Sequence, residues 1–256
     1  MGKWSEKTVV ITGSGTGVGY ATARLLAQEG ANIVINYSRS ATEAQQAADQ
    51  VASLGGRAIV VQANVASDDD CKRLMESAVD AFGGIDLLVN NAAVTRFIPH
   101  DQLDQVLIED WQRIFEVNVL GVFQCVRAAR ERLAERNGQV VNVASTAGLT
   151  GQGSSIPYCA SKAAVINMTQ SLARALAPTI RVNAVAPGFI TGRWLENGLG
   201  HAYESVKKGW EGRAPLGKVC DPDDVARAIV SLAEGSPMVT GQTITCDGGM
   251  MLGPLR

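Results

Sequence analysis

The sequence predicts an α/β fold, a doubly wound parallel sheet of about seven strands with helices on both faces. Three observations carry that expectation. Short runs rich in Val and Ile alternate with longer stretches whose apolar residues recur at helical spacing. A glycine-rich turn joins the first strand to the first helix. No linker, repeat or low-complexity segment divides the 256 residues, so one domain is expected over 1–256. Strands buried on both faces read as continuous apolar runs, which is the pattern seen here.

Residues 8–11 are β-branched throughout and form the first strand. The turn after it reads Thr12-Gly13-Ser14-Gly15-Thr16-Gly17-Val18-Gly19, and a helical pattern over 20–29 closes at Gly30. Glycines let the backbone approach a ligand, and a helix N-terminus offers free N–H groups and positive potential. Strand, turn and helix therefore read as a phosphate site. The spacing is Thr-Gly-x-x-x-Gly-x-Gly, with Gly15 as an extra.

The second strand spans 32–36, and its end reads Asn36-Tyr37-Ser38-Arg39. An acid here would accept from the ribose hydroxyls of a dinucleotide without a 2′-phosphate. None is present. Ser38 and Arg39 suit a 2′-phosphate, unless Arg39 is merely a solvated loop residue. NADP(H) is therefore favoured, with NAD(H) as the alternative.

Residues 40–54 form an amphipathic helix stopped by Gly55-Gly56, and 57–62 a third strand. Ser67 opens a helix with Asp68, Asp69 and Asp70 in its first turn, which reads as a cap and dipole complement rather than a metal site. Residues 85–89 are the fourth strand. Asn90-Asn91-Ala92-Ala93 follows it, either a simple turn or a place where small residues let a ligand approach the carboxyl end of the sheet. Residues 94–104 are irregular and include His100, read as loop surface. A long helix is expected over 105–136. Asn118 within it is flanked by Val117 and Val119, so a buried Asn there needs partners; it either ties down a bend or holds a water.

Residues 139–143 form the fifth strand and lead to Ser145. A Gly/Ser-rich loop covers 146–156, and a helix covers 158–176, ending before Pro178. Tyr158 and Lys162 sit four apart at its start, on one face and one turn apart. The same spacing arises in helices where Tyr packs and Lys snorkels. With Ser145 nearby, however, the three would bring a hydroxyl, a phenol and an ammonium to one point. A phenol titrates near pH 10 and an ammonium beside it favours the phenolate, making a candidate general acid or base. The sixth strand, 181–186, runs into Pro187-Gly188-Phe189-Ile190-Thr191. Residues 192–218 are irregular, apolar and aromatic, either a candidate substrate lid or an ordinary packed helix pair. Asp221 caps a last helix over 222–233, and 243–246 is the final strand.

Composition narrows the function classes. Apolar residues make up 46% and charged residues 19%, enough for a well-filled core. A net charge of −2 gives no nucleic-acid footprint. No apolar run is long enough to span a membrane, and no signal-peptide pattern opens the chain. Five scattered cysteines show no metal-ligand spacing. A soluble, reduced, cytoplasmic protein without disulfides or a metal is expected.

Six motifs in this order and spacing resemble the short-chain dehydrogenases/reductases over essentially the full length. They are Thr12-Gly13-x-x-x-Gly17-x-Gly19, Asn90-Asn91-Ala92-Ala93, Asn118, Ser145, Tyr158-x-x-x-Lys162 and Pro187-Gly188-x-x-Thr191. Residues 35–40 and 241–249 look most like the branch containing 3-oxoacyl-carrier-protein reductases. The resemblance implies a Rossmann-type sheet of order 3-2-1-4-5-6-7 and a catalytic tetrad of Asn118, Ser145, Tyr158 and Lys162. It implies hydride transfer between a nicotinamide and a carbonyl or secondary alcohol, with Tyr158 as general acid or base and Ser145 as hydrogen-bond donor to the reacting oxygen. Lys162 would lower the Tyr158 pKa and bind the nicotinamide ribose, and Asn118 would hold a water linking Lys162 to solvent.

For the cofactor, the resemblance implies contacts from Gly13, Ser14, Thr16, Gly17, Val18 and Gly19 near the pyrophosphate. It adds Tyr37, Ser38 and Arg39, then Asn64 and Val65, and Asn91, Ala92 and Ala93, with Asn90 on the same path. Tyr158, Lys162, Pro187, Gly188, Ile190 and Thr191 complete the set. Three positions depart from the family pattern. Asn64 replaces a common acid, Ala93 replaces a common glycine, and Ser14-Gly15-Thr16 lacks a basic residue found in many NADP members.

Two rivals stand beside a carbonyl reductase. One is an NAD-linked dehydrogenase of a sugar, steroid or other secondary alcohol. The other is a non-catalytic dinucleotide-binding protein, which gives little reason to keep both Tyr158 and Lys162. An acyl carrier protein partner would call for a basic patch. Arg127, Arg130, Arg132, Arg136 and Arg174 offer one, unless they form a solvated face with Glu131 and Glu135. The resemblance also implies a homotetramer. Residues 94–104, 151–156 and 192–218 shape the substrate site, and their content suggests a hydrophobic carbonyl compound.

Overall fold

Val9 and Ile11 of the first strand, β1 (Thr8–Ile11), enter one apolar cluster, and Val10 enters another. That alternation repeats across the sheet, because successive side chains of a strand point to opposite faces. In a computed structural model describing residues 2–253, β1 lies between β2 (Asn32–Tyr37) and β4 (Leu87–Asn90). Val9 pairs with Ile33 on one side and Leu87 on the other. With β3 (Arg57–Gln62), β5 (Gln139–Val143), β6 (Arg181–Pro187) and β7 (Thr243–Cys246) the order is β3-β2-β1-β4-β5-β6-β7. All pairings are parallel. This is the order the family resemblance implied.

Helices cover both faces. On one, α1 (Gly17–Gln28), α2 (Ala41–Ser53) and α10 (Pro222–Glu234) bury Leu26, Ala47 and Ile229 against Ile11, Ile33, Ile35 and Val89. On the other, α3 (Asp68–Phe82), α5 (Gly121–Glu135) and α7 (Ile156–Leu176) bury Leu74, Leu133 and Ala173 against Val10, Val34, Leu88 and Val140. Burying one of these Leu, Ile or Val side chains contributes about 1.5–3 kcal/mol, so both layers hold the central strands firmly.

Chain order reverses between β1 and β4, and a crevice opens at the carboxyl ends there. The turn after β1 and the Asn-Asn-Ala-Ala segment after β4 therefore meet. Thr12 Oγ1 accepts from the N–H groups of Asn91 and Ala92, and the Asn91 amide donates to the carbonyls of Thr12 and Gly13.

Several boundaries differ from the sequence expectation. The helix expected over 105–136 is interrupted. A 3-10 turn covers Leu103–Gln105, α4 spans Ile108–Phe115, and a π turn, Glu116–Leu120, precedes α5. The break centres on Asn118, whose side chain is drawn to the backbone of Val94 and to Ser161. A single π turn often marks such a functional displacement. The loop expected over 146–156 contains a short helix, α6 (Ala147–Thr150). Residues 192–218 hold two helices, α8 (Arg193–Leu199) and α9 (Tyr203–Glu211). Both caps follow the sequence. Asp221 accepts from the Asp224 N–H at 2.8 Å, and Ser67 from the Asp70 N–H at 3.3 Å.

Candidate active site

A cleft of about 1140 Å³ lies over the carboxyl ends of the strands, between the glycine turn and α8–α9. One end is formed by Gly13, Thr16, Gly17 and Val18. No side chain caps α1, and its first turn carries no acid, so its N-terminal N–H groups stay available to an anion. Among the described residues the charged side chains lining the cleft are Lys162, Arg113 and Arg193, and no carboxylate lines it. A free helix N-terminus and a lining whose charged side chains are cationic fit the phosphates of a dinucleotide.

The side chains that the sequence singles out for catalysis lie further along. Ser145 follows β5, and Tyr158 and Lys162 project from the first turns of α7. Pro157 sits in the opening turn of that helix, where its missing N–H costs nothing. Lys162 is 3% exposed; its Nζ donates to the Val143 carbonyl at 2.7 Å and lies 5.7 Å from the centre of the Tyr158 ring. Burial pulls this ammonium down to about 8. Burial also pushes the Tyr158 phenol up to about 12, with a hydrogen bond from Ser145 acting in the opposite direction. The sequence expectation had Lys162 lowering Tyr158; in this chain desolvation dominates the phenol. Tyr158 thus holds its proton firmly at neutral pH. Ser145 Oγ also accepts from the Ala147 N–H at 3.1 Å, which ties the hydroxyl to α6. At Gly148 of α6 a Cβ would lie 2.5 Å from the Lys162 carbonyl carbon, so only glycine lets α6 pack this closely on α7.

Asn118 is buried and does not line the cleft. Its Oδ1 accepts from the Val94 N–H at 2.8 Å, and its Nδ2 donates to Val94 O and Ser161 Oγ, both at 3.0 Å. Ser161 in turn donates to the Tyr158 carbonyl at 2.8 Å. Asn118 therefore links the loop after β4 to the turn that carries Tyr158 and Lys162. Ser161 was not singled out in the sequence, where a Ser between Ala160 and Lys162 carries no distinguishing signal.

The cofactor residues read from sequence divide into two groups. Gly13, Thr16, Gly17, Val18, Ser38, Asn64, Val65, Asn91, Ala92, Ala93, Pro187, Gly188, Ile190 and Thr191 line the cleft, as do Ser145, Tyr158 and Lys162. Ser14, Gly19, Tyr37 and Arg39 do not. Ser14 Oγ donates to the Ile11 carbonyl and accepts from the Asn36 N–H, so it closes the turn internally. Gly19 packs on Asn91 and the Gly13 carbonyl. Arg39 is exposed one residue beyond Ser38. Asn90 points away from the cleft, where its amide donates to Asn142 Oδ1 at 2.9 Å, and Asn142 donates to Thr169. This buried ladder between β4, β5 and α7 was not legible, because Asn142 and Thr169 stand in otherwise apolar runs.

The opposite wall is apolar. Trp194 of α8 lies with its ring centre 6.4 Å from that of Tyr158, tilted by 51°. A Cβ at Gly198 would collide with the Phe97 ring, so α8 lies flat on that ring. Phe189 stacks on Tyr203 and Trp210 at 5.8 and 6.1 Å. The two remaining loops are pinned together. Ile98 N–H donates to Ser154 O at 2.8 Å, Thr95 and Ser154 share a 2.6 Å hydrogen bond, and His100 Nε2 lies 3.1 Å from Gly153 O.

Comparison with known proteins decides the family. A family model described as enoyl-(acyl carrier protein) reductase matches residues 13–251. A 3-oxoacyl-[acyl-carrier-protein] reductase of Synechocystis sp. is 38% identical over 252 residues, 97% of this chain and 98% of that protein. The chain belongs to the short-chain dehydrogenases/reductases. A crystal structure from Burkholderia xenovorans assigned to that family superposes with a TM-score of 0.89 at 38% identity, covering 96% of this chain and 98% of the other. NAD⁺-bound xylitol dehydrogenase superposes at 0.87 and 30% identity, covering 96% and 100%. As a short-chain dehydrogenase/reductase the chain is an NAD(P)-dependent oxidoreductase, and its likeness is to the ketoacyl-reductase branch. None of its described helices is long and apolar enough to cross a membrane.

Proposed function

We propose that this oxidoreductase reduces a hydrophobic carbonyl compound with NADPH, using Tyr158 as the proton donor. One observation carries the reading: Ser145, Tyr158 and the buried Lys162 line the same cleft as the uncapped N-terminus of α1. The nicotinamide cofactor, when bound, supplies the hydride to the carbonyl carbon. Negative charge then grows on the carbonyl oxygen. Ser145 donates a hydrogen bond to that oxygen and Tyr158 gives it a proton. The nearby Lys162 ammonium favours the phenolate left behind and is oriented by the Val143 carbonyl. Asn118 acts as a positioning residue, through Val94 and through Ser161. Run backwards, the same groups oxidise an alcohol.

The adenosine end of the cleft supports NADP(H). Ser38 lines it, the exposed Arg39 is the next residue in the chain, and among the described residues no carboxylate lines the cleft to hold free ribose hydroxyls. The α8–α9 segment forms a lid whose Trp194, Leu195, Leu199 and Val206 give the substrate an apolar wall. A 3-oxoacyl chain on an acyl carrier protein fits such a wall. Exposed Leu103, Leu107, Ile108, Leu120 and Phe123 along α4–α5 support assembly through these helices, as a homotetramer in the cytoplasm. A second reading, NAD-linked oxidation of a secondary alcohol, is favoured by the likeness to NAD⁺-bound xylitol dehydrogenase and by the uncharged Ser14-Gly15-Thr16.

Fluorescence titration with NADPH and NADH separates the readings. Tighter NADPH binding, weakened by Arg39→Ala, is expected. Equal or tighter NADH binding, indifferent to Arg39→Ala, refutes the NADP reading and directs the substrate search to alcohols.

A further inference from the structure

Two pairs of thiols approach one another in this chain, in opposite surroundings. Cys71 and Cys125 lie 3.6 Å apart between α3 and α5, both fully buried. Cys220 and Cys246 lie 3.8 Å apart at the end of β7. Cys220 is 5% exposed and Cys246 is half-buried. Both line a shallow pocket of about 420 Å³, together with Lys218, Asp224, Asp247 and Met251. This pocket is separate from the catalytic cleft, and neither thiol lines that cleft.

The backbones of the two cysteines hold the rear of the segment that borders the cleft. Cys220 N–H donates to Phe189 O at 3.0 Å, and Thr191 N–H donates to Cys220 O at 2.9 Å. Gly188 N–H donates to Cys246 O at 3.0 Å. The Cys220 thiol reaches the same carbonyl at 3.2 Å. Residues 188–191 are thus clamped by the two cysteines, with Gly188, Ile190 and Thr191 facing the cleft on their other side.

We infer that Cys220 and Cys246 form a redox modification site that a peroxide oxidises to a disulfide, and that this bond alters dinucleotide binding in the cleft. The more open thiol reacts first. Contact with Cys220 lowers the pKa of the Cys246 thiol, against burial and the carboxylates of Asp224 and Asp247, whereas the same contact and burial push Cys220 up. The Cys246 thiolate attacks one oxygen of hydrogen peroxide. An S–O bond forms, the O–O bond breaks, and hydroxide leaves as water after taking a proton. The Cys220 sulfur then attacks the sulfenic sulfur. The S–S bond forms, the S–O bond breaks, and a second water leaves with the Cys220 proton. Two thiols have given two electrons to one peroxide.

A disulfide requires sulfurs about 2.0 Å apart. The sulfurs must therefore approach by about 1.8 Å, and the two residues that carry them are bonded through their backbones to residues 188–191. The consequence for dinucleotide binding rests on the proposed function; the chemistry at the thiols does not.

The test treats the reduced full chain with hydrogen peroxide under native conditions, then maps its peptides by mass spectrometry. The expected product has lost two hydrogens, carries a Cys220–Cys246 cross-link that dithiothreitol reverses, and leaves Cys71 and Cys125 as free thiols. Cys246→Ser gives no cross-link. The oxidised protein binds NADPH with an affinity changed by roughly threefold or more, read as a shift in the titration midpoint. Cross-linking of Cys71 to Cys125 instead, or a Cys220 and Cys246 that stay reduced or are oxidised singly, overturns the site. A cross-link with unchanged binding overturns the coupling to the cleft. If the reduced chain binds neither NADPH nor NADH, the dinucleotide reading and its coupling to the thiols fail, while the peptide map still decides the site.

Discussion

Replacing Lys162 with Met should change how stability depends on pH. Lys162 is buried, and burial lowers its ammonium from 10.5 to about 8, with the Val143 carbonyl as the polar partner of Nζ among the described residues. Below pH 8 the folded chain carries this buried charge and bears its full cost. Between about 8 and 10.5 the folded state releases a proton that the unfolded state keeps. The unfolded state then binds more protons, so stability rises with pH across that window. The whole interval corresponds to about 3 kcal/mol at about 1.4 kcal/mol per pH unit. About 2 kcal/mol of it accrues between pH 7 and 9.5, before the upper part of the window is reached. Met has a similar length and no charge, so Lys162→Met lacks this contribution. Tyr158, shifted the opposite way, loses stability only between about 10 and 12, outside the measured range. Urea unfolding of both proteins at pH 7, 8.5 and 9.5 gives the comparison. Wild type should gain about 2 kcal/mol on the variant from pH 7 to 9.5. A difference that stays constant across the series would refute the view that Lys162 titrates as a desolvated ammonium.

Tyr158→Phe removes the proposed proton donor and should lower turnover by about 10²–10⁴, while the dissociation constant for the dinucleotide stays within about twofold; an active Phe variant would move the proton donor elsewhere. Gly198→Ala drives a methyl into Phe97 and should lift α8 from the cleft, seen as a raised KM for the carbonyl compound with dinucleotide binding unchanged. Gly148→Ala pushes α6 off the Lys162 backbone and should destabilise the fold by about 1–3 kcal/mol in urea unfolding, with turnover falling as well. Asp221→Ala removes the cap of α10 and should cost about 1 kcal/mol, measurable as a lower Tm with turnover untouched.

The sequence by itself determined the layered sheet, because strand and helix periods are local properties of the chain. Val9, Val10 and Ile11 announce a strand buried on both faces without reference to anything distant. It also determined the spacing of Tyr158 and Lys162, which a helix fixes, and the cap at Asp221. Tertiary structure decided what each polar side chain does once there. Asn90 and Asn91 are adjacent and alike in sequence, yet Asn91 shapes the glycine turn while Asn90 bonds Asn142 in the core. Asn118 interrupts a helix to hold Val94 and Ser161, partners 24 and 43 residues away. Trp194 reaches Tyr158 only because Gly198 lets α8 lie on Phe97. Lys162 was expected to lower the phenol of Tyr158, and burial reverses that balance in this chain. Periodicity reports which residues are buried; hydrogen-bond partners and desolvation depend on groups brought together from distant parts of the chain, and only the folded chain assembles them.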